Sequence, residues 1–240
     1  MVLVSPADEY FRHNAPAPLF LTGSSITLAV MDESVKNGYA ASMARPRKFD
    51  EQQVLDTARE RFWSGGYAAT RMEDIAEATG LGKGSLYGAF GGKQELFHRV
   101  FDDYCTSVVD AASRQLRGSD ADAYARLSAH VNAVAAATAA DTAHRGCLLA
   151  KGAAELAQHD ETVAKRARAA IEALQALLEG DIAACQRNGD IAADADPGKL
   201  AALVLAVLRG IEGLGKAGAS EETLTDIART ALAVLPRPAH

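Results

Sequence analysis

Residues 79–90 read TGLGKGSLYGAF, from Thr79 through Lys83 and Tyr87 to Phe90. Four glycines surround one lysine and one serine, a composition that often holds phosphate. A nucleotide-binding P-loop needs G-x-x-x-x-G-K-[ST] between a buried strand and a helix. Here Gly82-Lys83 is followed by Gly84, the leading position is Glu77, and no strand pattern precedes it. A dinucleotide fingerprint fails as well, because Gly80, Gly82 and Gly84 have the wrong spacing and follow a helical pattern. The other reading is two short helices joined by Gly80-Leu81-Gly82, a turn of the kind that sets helices at a steep angle. The exposed face of the second helix is then Lys83, Gly84, Ser85, Tyr87 and Gly88, all small or ending in a proton donor. Such a face can approach DNA closely. On pattern alone, an ordinary helical hairpin with a solvated face remains open.

The flanks of this stretch are regular. Asp50 is a helix cap, and Val54, Leu55, Ala58 and Phe62 form one apolar face that Gly65-Gly66 ends. Thr70 and Glu73 have capping-box spacing for a second helix, whose inner face is Met72, Ile75, Ala76 and Thr79. Gly80 stands where a left-handed turn residue is wanted. A third helix is predicted over 83–90, with Leu86 and Phe90 inward, and Gly91-Gly92 breaks it. Further helices are predicted over about 93–116, 121–140, 147–157, 161–188, 197–216 and from 221 onward. Pro197 stands at the first position of the eighth and Ser220 caps the ninth. The chain reads as all-α, about nine helices in total.

Residues 54–97 resemble the DNA-binding region of the tetracycline-repressor (TetR) family. The matching residues are Val54-Leu55, Ala58, Phe62, Gly66-Tyr67, Thr70, Met72, Asp74-Ile75-Ala76, Ala78, Gly80-Leu81, Lys83 to Tyr87, Phe90, Lys93 and Glu95-Leu96-Phe97. The resemblance implies a three-helix DNA-binding domain over 44–92 and a helical ligand-binding and dimerisation domain over 93–240. It implies a ligand-responsive, homodimeric repressor on a near-palindromic double-stranded operator, not an enzyme. Thr70 and its helix N-terminus are expected to hold a phosphate, with Arg71 reaching a phosphate or a base edge. Lys83, Gly84 and Ser85 are expected at base edges, and Tyr87 and Lys93 on phosphates. Arg45, Arg47 and Lys48 form an arm suited to the minor groove, or a solvated tail. The family often has serine or threonine where Gly82 stands, and aromatic or histidine residues where Gly88 and Ala89 stand. Two other readings therefore stay open: an activator or dual regulator with the same DNA surface, and a small-molecule-binding dimer with degraded DNA binding.

Composition agrees with a DNA contact only if charge is placed locally. The chain of 240 residues carries a net charge of −6: −2 over 1–42, zero over 43–97 and −4 over 98–240. Residues 1–42 mix prolines, glycines and serines with short apolar runs, and Met43-Ala-Arg-Pro-Arg-Lys-Phe-Asp50 looks like a natural beginning. We expect 1–43 to be a poorly ordered extension or a segment ahead of the true start; a structured extra element is the alternative. Three widely spaced cysteines, no apolar run of membrane length and no secretory signal fit a reducing cytoplasm and no membrane partner.

The second half matches the family less specifically. Arg145-Gly-Cys-Leu-Leu149, then Ala154-Glu155-Leu156, resembles a subgroup in which a Gly-Cys-Leu run opens the sixth helix. Some relatives with a cysteine near here sense oxidants or electrophiles. At a helix N-terminus near His144 and Arg145, Cys147 could be held as a reactive thiolate; the alternative is a buried small hydrophobe. Phe101, Tyr104, Tyr124, Leu127, Val131 and Cys147 are candidates to line an effector cavity, or simply core. The wide apolar faces of helices eight and nine, with Gly210, Gly213 and Gly215, suit a four-helix dimer interface. Histidine and cysteine spacing supports no metal site, and no cofactor is expected.

Overall fold

The computed structural model describes residues 49–238. Every regular element among them is helical. In chain order these are α1 (Glu51–Gly65), α2 (Met72–Thr79), α3 (Lys83–Phe90) and α4 (Lys93–Gln115). After a 3₁₀ turn (Asp120–Asp122) come α5 (Ala123–Ala140), α6 (Leu148–Leu156), α7 (Glu161–Asn188), α8 (Pro197–Lys216) and α9 (Glu221–Ala233). Residues 1–48, with the expected extension and the arm residues Arg45, Arg47 and Lys48, lie outside the described residues.

Local chemistry fixes most helix ends. The Asp50 carboxylate accepts the N–H of Gln52 at 2.9 Å, opening α1. Asp160, Asp196 and Ser220 accept the N–H groups of Val163, Lys199 and Thr223 in the same way, opening α7, α8 and α9. Gly80 closes α2 at φ +68°: its N–H reaches Glu77 O at 3.3 Å, and the N–H of Leu81 reaches Ala76 O at 3.1 Å.

One expected cap is absent. Thr70 is buried, and its hydroxyl donates back to Gly66 O at 2.7 Å and Arg61 O at 3.1 Å. The N-cap of α2 is Arg71, and the Asp74 carboxylate, not Glu73, accepts the Arg71 N–H at 3.1 Å. The sixth helix starts one residue later than expected, with Cys147 as its N-cap, and the fifth begins after the 3₁₀ turn.

Packing follows the apolar stripes. Phe62 and Trp63 of α1, Ile75 of α2, Leu86 and Phe90 of α3, and Leu96 and Phe97 of α4 bury together. Phe62 and Tyr67 each meet the Phe97 ring with centroids 5.1 Å apart, at steep angles. Further along, α4 packs on α7, while α5 packs on α7, α8 and α9. The helix-turn-helix therefore stands on the first half of α4, and the rest of α4 belongs to the larger bundle.

Candidate nucleic-acid interface and ligand cavity

Three helices present one outward face. Leu86 and Phe90 pin α3 to the core, which leaves Lys83, Gly84, Ser85, Tyr87 and Gly88 exposed. Each exposed cation beside the turn has an acidic neighbour. Lys83 Nζ donates to Glu73 at 2.9 Å across the turn, and Arg71 Nη2 donates to Asp74 at 2.8 Å. These pairs offset two of the eight cations of residues 43–97. Both are exposed and screened by solvent, so each yields readily to a stronger anion such as phosphate. Tyr87 is 46% exposed, and its hydroxyl has no hydrogen-bond partner among the described residues. Lys93 is half-buried: Nζ lies 4.2 Å from the Tyr67 ring centroid and donates to Ala68 O at 3.4 Å. Thr70 differs from the expectation, because its hydroxyl points inward to carbonyls. Only backbone N–H groups at the start of α2 remain there for an anion.

A second feature lies in the bundle. A cavity of about 70 Å³ sits between α4, α5, α7 and α8 and is closed at one end by the loop 141–146 and by Trp63 of α1. Its walls are largely apolar, with Val108, Val134, Leu174, Leu178, Leu205 and Leu208. Its polar groups are Tyr104, His130, Thr138, Asp141, Arg145, Arg209 and Glu212. Of the six residues expected to line it, Tyr104 does. Cys147 lies just outside, in contact with the lining residues Tyr104 and Arg209. Phe101 packs on Phe97 and over Gly152, and Leu127 and Val131 are buried in the core. Tyr124 donates to Leu232 O at 3.4 Å, with Arg237 4.0 Å above its ring.

The Cys147 thiol does not have the environment expected of it. Arg145 turns away, bonding Asp141 at 3.1 Å and Glu60 at 2.9 Å, and the His144 Nδ1 lies 3.0 Å from Gly215 O. The nearby cation is Arg209, whose Nη1 lies 3.1 Å from Sγ. Burial, reinforced by Glu212, outweighs that cation and pushes the thiol up to about 11, so it stays protonated at neutral pH. Burial also pushes His130 down to about 4 and raises Tyr104, so both are neutral.

The cavity and the DNA-facing helices are joined directly. The indole N–H of Trp63 donates to Gly146 O at 2.7 Å, and Lys151 Nζ donates to Trp63 O at 2.7 Å. Glu155 of α6 accepts the Tyr67 N–H at 2.7 Å, and the Arg145 guanidinium lies 4.5 Å from the Trp63 ring centroid. Trp63 is therefore at once a core residue of α1, a cavity wall and a tie to α6. Sequence reading did not single out Trp63, Arg209 or Glu212, and it gave Arg145 and His130 no place in a cavity. A signal was present for two of them: Arg209 and Glu212 are three residues apart, the charged pair in the apolar run of α8.

Comparison with known proteins agrees with this arrangement. Residues 54–100 match the family described as bacterial regulatory proteins, tetR family, and residues 123–231 match the tetracyclin repressor-like C-terminal domain. The chain is 28% identical over 195 residues to the HTH-type transcriptional repressor ComR of Escherichia coli (strain K12), covering 81% of this chain and 93% of that protein. It is 35% identical over 88 residues to the HTH-type transcriptional activator FasR of Mycolicibacterium smegmatis, covering 37% of this chain and 40% of that protein. Among solved structures, a cysteine mutant of the TetR family regulator CifR, complexed with 26 bp double-strand operator DNA, matches with a TM-score of 0.70 at 27% identity, over 80% of this chain and all (100%) of that one. The reduced form of Escherichia coli NemR shares the fold, with a TM-score of 0.68 at 18% identity over 79% of this chain and 98% of that one. With both halves matched and a helix-turn-helix in the first of them, the chain belongs to the TetR family of bacterial regulatory proteins and is a DNA-binding transcriptional regulator.

Proposed function

We propose that the chain is a ligand-responsive repressor, which binds a near-palindromic operator as a homodimer and leaves it when a small molecule enters the cavity. Residues 44–92 form the DNA-binding unit in this reading, and 93–240 bind the effector and dimerise. Lys83, Gly84 and Ser85 face base edges, while Tyr87, Lys93, Arg71 and the N–H groups at the start of α2 face phosphates. The arm with Arg47 and Lys48 follows the minor groove. The observation that carries the coupling is Trp63: a helix of the DNA-binding unit forms part of the cavity wall. An occupant that shifts the Trp63 ring or the loop 141–146 moves α1 and with it the spacing of two recognition helices. In the usual geometry those helices lie roughly 34–36 Å apart. A coupling of about 1–3 kcal/mol changes operator affinity roughly 5- to 150-fold. Dimerisation through α8 and α9 is supported by outward apolar residues, Leu203 48% and Leu214 44% exposed on α8 and Val234 63% exposed at the residue after α9. Gly210 and Gly213 open onto free space beside them, whereas Gly215 is taken up within the chain against Thr138.

The test is to select duplexes from a random pool with the full chain, then titrate the recovered duplex at several salt concentrations. Lys83→Ala is expected to weaken binding and relax the preference for particular bases at its contact, and Tyr87→Phe to weaken binding about uniformly across sequences. Unchanged binding by both variants means that α3 is not the reading helix. Failure to enrich any duplex favours a small-molecule-binding dimer that has lost DNA recognition. The similarity to the activator FasR over 88 residues supports activation as a second reading of the same DNA surface. Reporter output in a deletion strain separates the two: loss of the regulator raises output from a repressed promoter and lowers it from an activated one.

A further inference from the structure

The polar end of the cavity is built around Arg209. Its Nη1 lies 2.9 Å from Glu212 Oε2 and 3.1 Å from the Cys147 sulfur. Its Nε is buried with no hydrogen-bond partner among the described residues, and Glu212 Oε2, although close to Nη1, makes no well-aligned hydrogen bond either. Nε and Nη2 form the side of a guanidinium that meets a carboxylate with two parallel bonds. A buried donor left without an acceptor is costly, so this edge favours an occupant that supplies oxygen. The other ionisable groups near it do not supply a negative charge: the Tyr104 phenol and the Cys147 thiol are held protonated, and His130 is neutral. Arg145 is already matched by Asp141 and Glu60. Away from Arg209 the walls are aliphatic, and the space is small, about 70 Å³.

We propose that the effector is a compact monocarboxylic acid, its carboxylate bonded to the Nε edge of Arg209 and its hydrocarbon part against Val108, Val134, Leu174 and Leu205. This rests on the ligand-responsive reading above. The carboxylate enters beside Glu212, so one of two neighbouring carboxyls must be neutral. Burial already raises Glu212, the group that takes up a proton from solvent as the acid binds. Glu212 is thus the competitor for Arg209, and removing its charge favours the ligand.

The chain has a single tryptophan, and that tryptophan is in the cavity wall. Trp63 emission therefore reports occupancy without a label. Full-length protein is titrated with butanoate, hexanoate and benzoate, and with hexan-1-ol and benzyl alcohol as shape-matched neutral probes. The acids are expected to change Trp63 emission saturably, and the alcohols to bind at least about tenfold more weakly, the size of a lost charge-assisted hydrogen bond. Glu212→Gln is expected to tighten the acids several-fold and leave the alcohols unchanged. Arg209→Gln is expected to abolish the preference for acids. If Arg209→Gln fails to fold, the Glu212→Gln comparison still decides. Equal binding of acids and alcohols, no effect of Glu212→Gln, or no response to any acid overturns the proposal. Release of the selected duplex is measured in parallel: an acid that binds at Trp63 but leaves DNA affinity unchanged counts against the ligand-responsive reading and not against this site.

Discussion

At the scale of single residues, the glycines of the opening stretch do different work. Gly80 sits at φ +68°, where a side chain is strained, and it ends α2. Gly84 and Gly88 lie inside α3, and a β-carbon at either would meet nothing within 4 Å. Interior helix glycines cost roughly 0.5–1 kcal/mol each relative to alanine, and no contact within the chain requires these two. Gly88→Ala is therefore expected to raise the unfolding midpoint by roughly 1–4 °C, whereas Gly80→Ala lowers it. Thermal unfolding by circular dichroism measures both. A lowered midpoint for Gly88→Ala would show that α3 is held by contacts other than those described. Much of this was legible beforehand, because the conformation of a turn glycine is dictated by its neighbours in sequence. Thr70 was not. Its position three residues before Glu73 matches a capping box, but tertiary packing places it under Gly65 and turns its hydroxyl toward Gly66 O. The cap then falls to Asp74, whose carboxylate serves both the Arg71 N–H and its guanidinium.

At the scale of elements, helix ends followed from sequence because caps and stops are local: Asp50, Gly80, Gly189, Asp196 and Ser220 all act within a few residues. The cavity did not, because its walls come from five helices and a loop, more than a hundred residues apart in places. The same is true of the joint between α4 and α7. Asp160 caps α7 through the Val163 N–H, and its other oxygen takes Gln94 at 2.8 Å and His98 at 2.6 Å from α4. Burial by itself would raise this carboxyl. The hydrogen bonds from Gln94, His98 and the Val163 N–H outweigh it and hold Asp160 at about 2. The folded value lies below the unfolded one near 4, so the contribution is complete above about pH 4 and is lost as pH falls toward 2. Asp160→Ala removes the cap and the tie to α4 together, with an expected loss of about 1–2 kcal/mol at neutral pH. In urea unfolding from pH 6 down to pH 2, the difference between variant and parent should shrink as Asp160 protonates. A difference that stays constant across that range would mean that its charge does not matter.

At the scale of the whole molecule, the surface proposed to face DNA is balanced in charge and short: the eight-residue α3, whose exposed Lys83 is paired to Glu73, and Arg71 ahead of α2, paired to Asp74. Such a face gains affinity by duplication: two copies held at a fixed distance read two half-sites, and the second contact is intramolecular. In the proposed homodimer, the outward stripe of α8 supplies the means. Leu203, Val207, Gly210 and Leu214 recur at helical spacing, and Leu203 and Leu214 are large exposed hydrophobics. The glycine between them would allow a facing helix to come near. Leu203→Glu together with Leu214→Glu places charges across that stripe. Because both sites are exposed in the single chain, the change in its own stability is expected to stay within about 0.5 kcal/mol per site. Burying the same charges between two copies is far more costly. Sedimentation is therefore expected to show a dimer for the parent and a folded monomer for the double variant. The monomer's affinity for a two-half-site duplex should fall to that for a single half-site. A double variant that stays dimeric would move the interface off this face of α8.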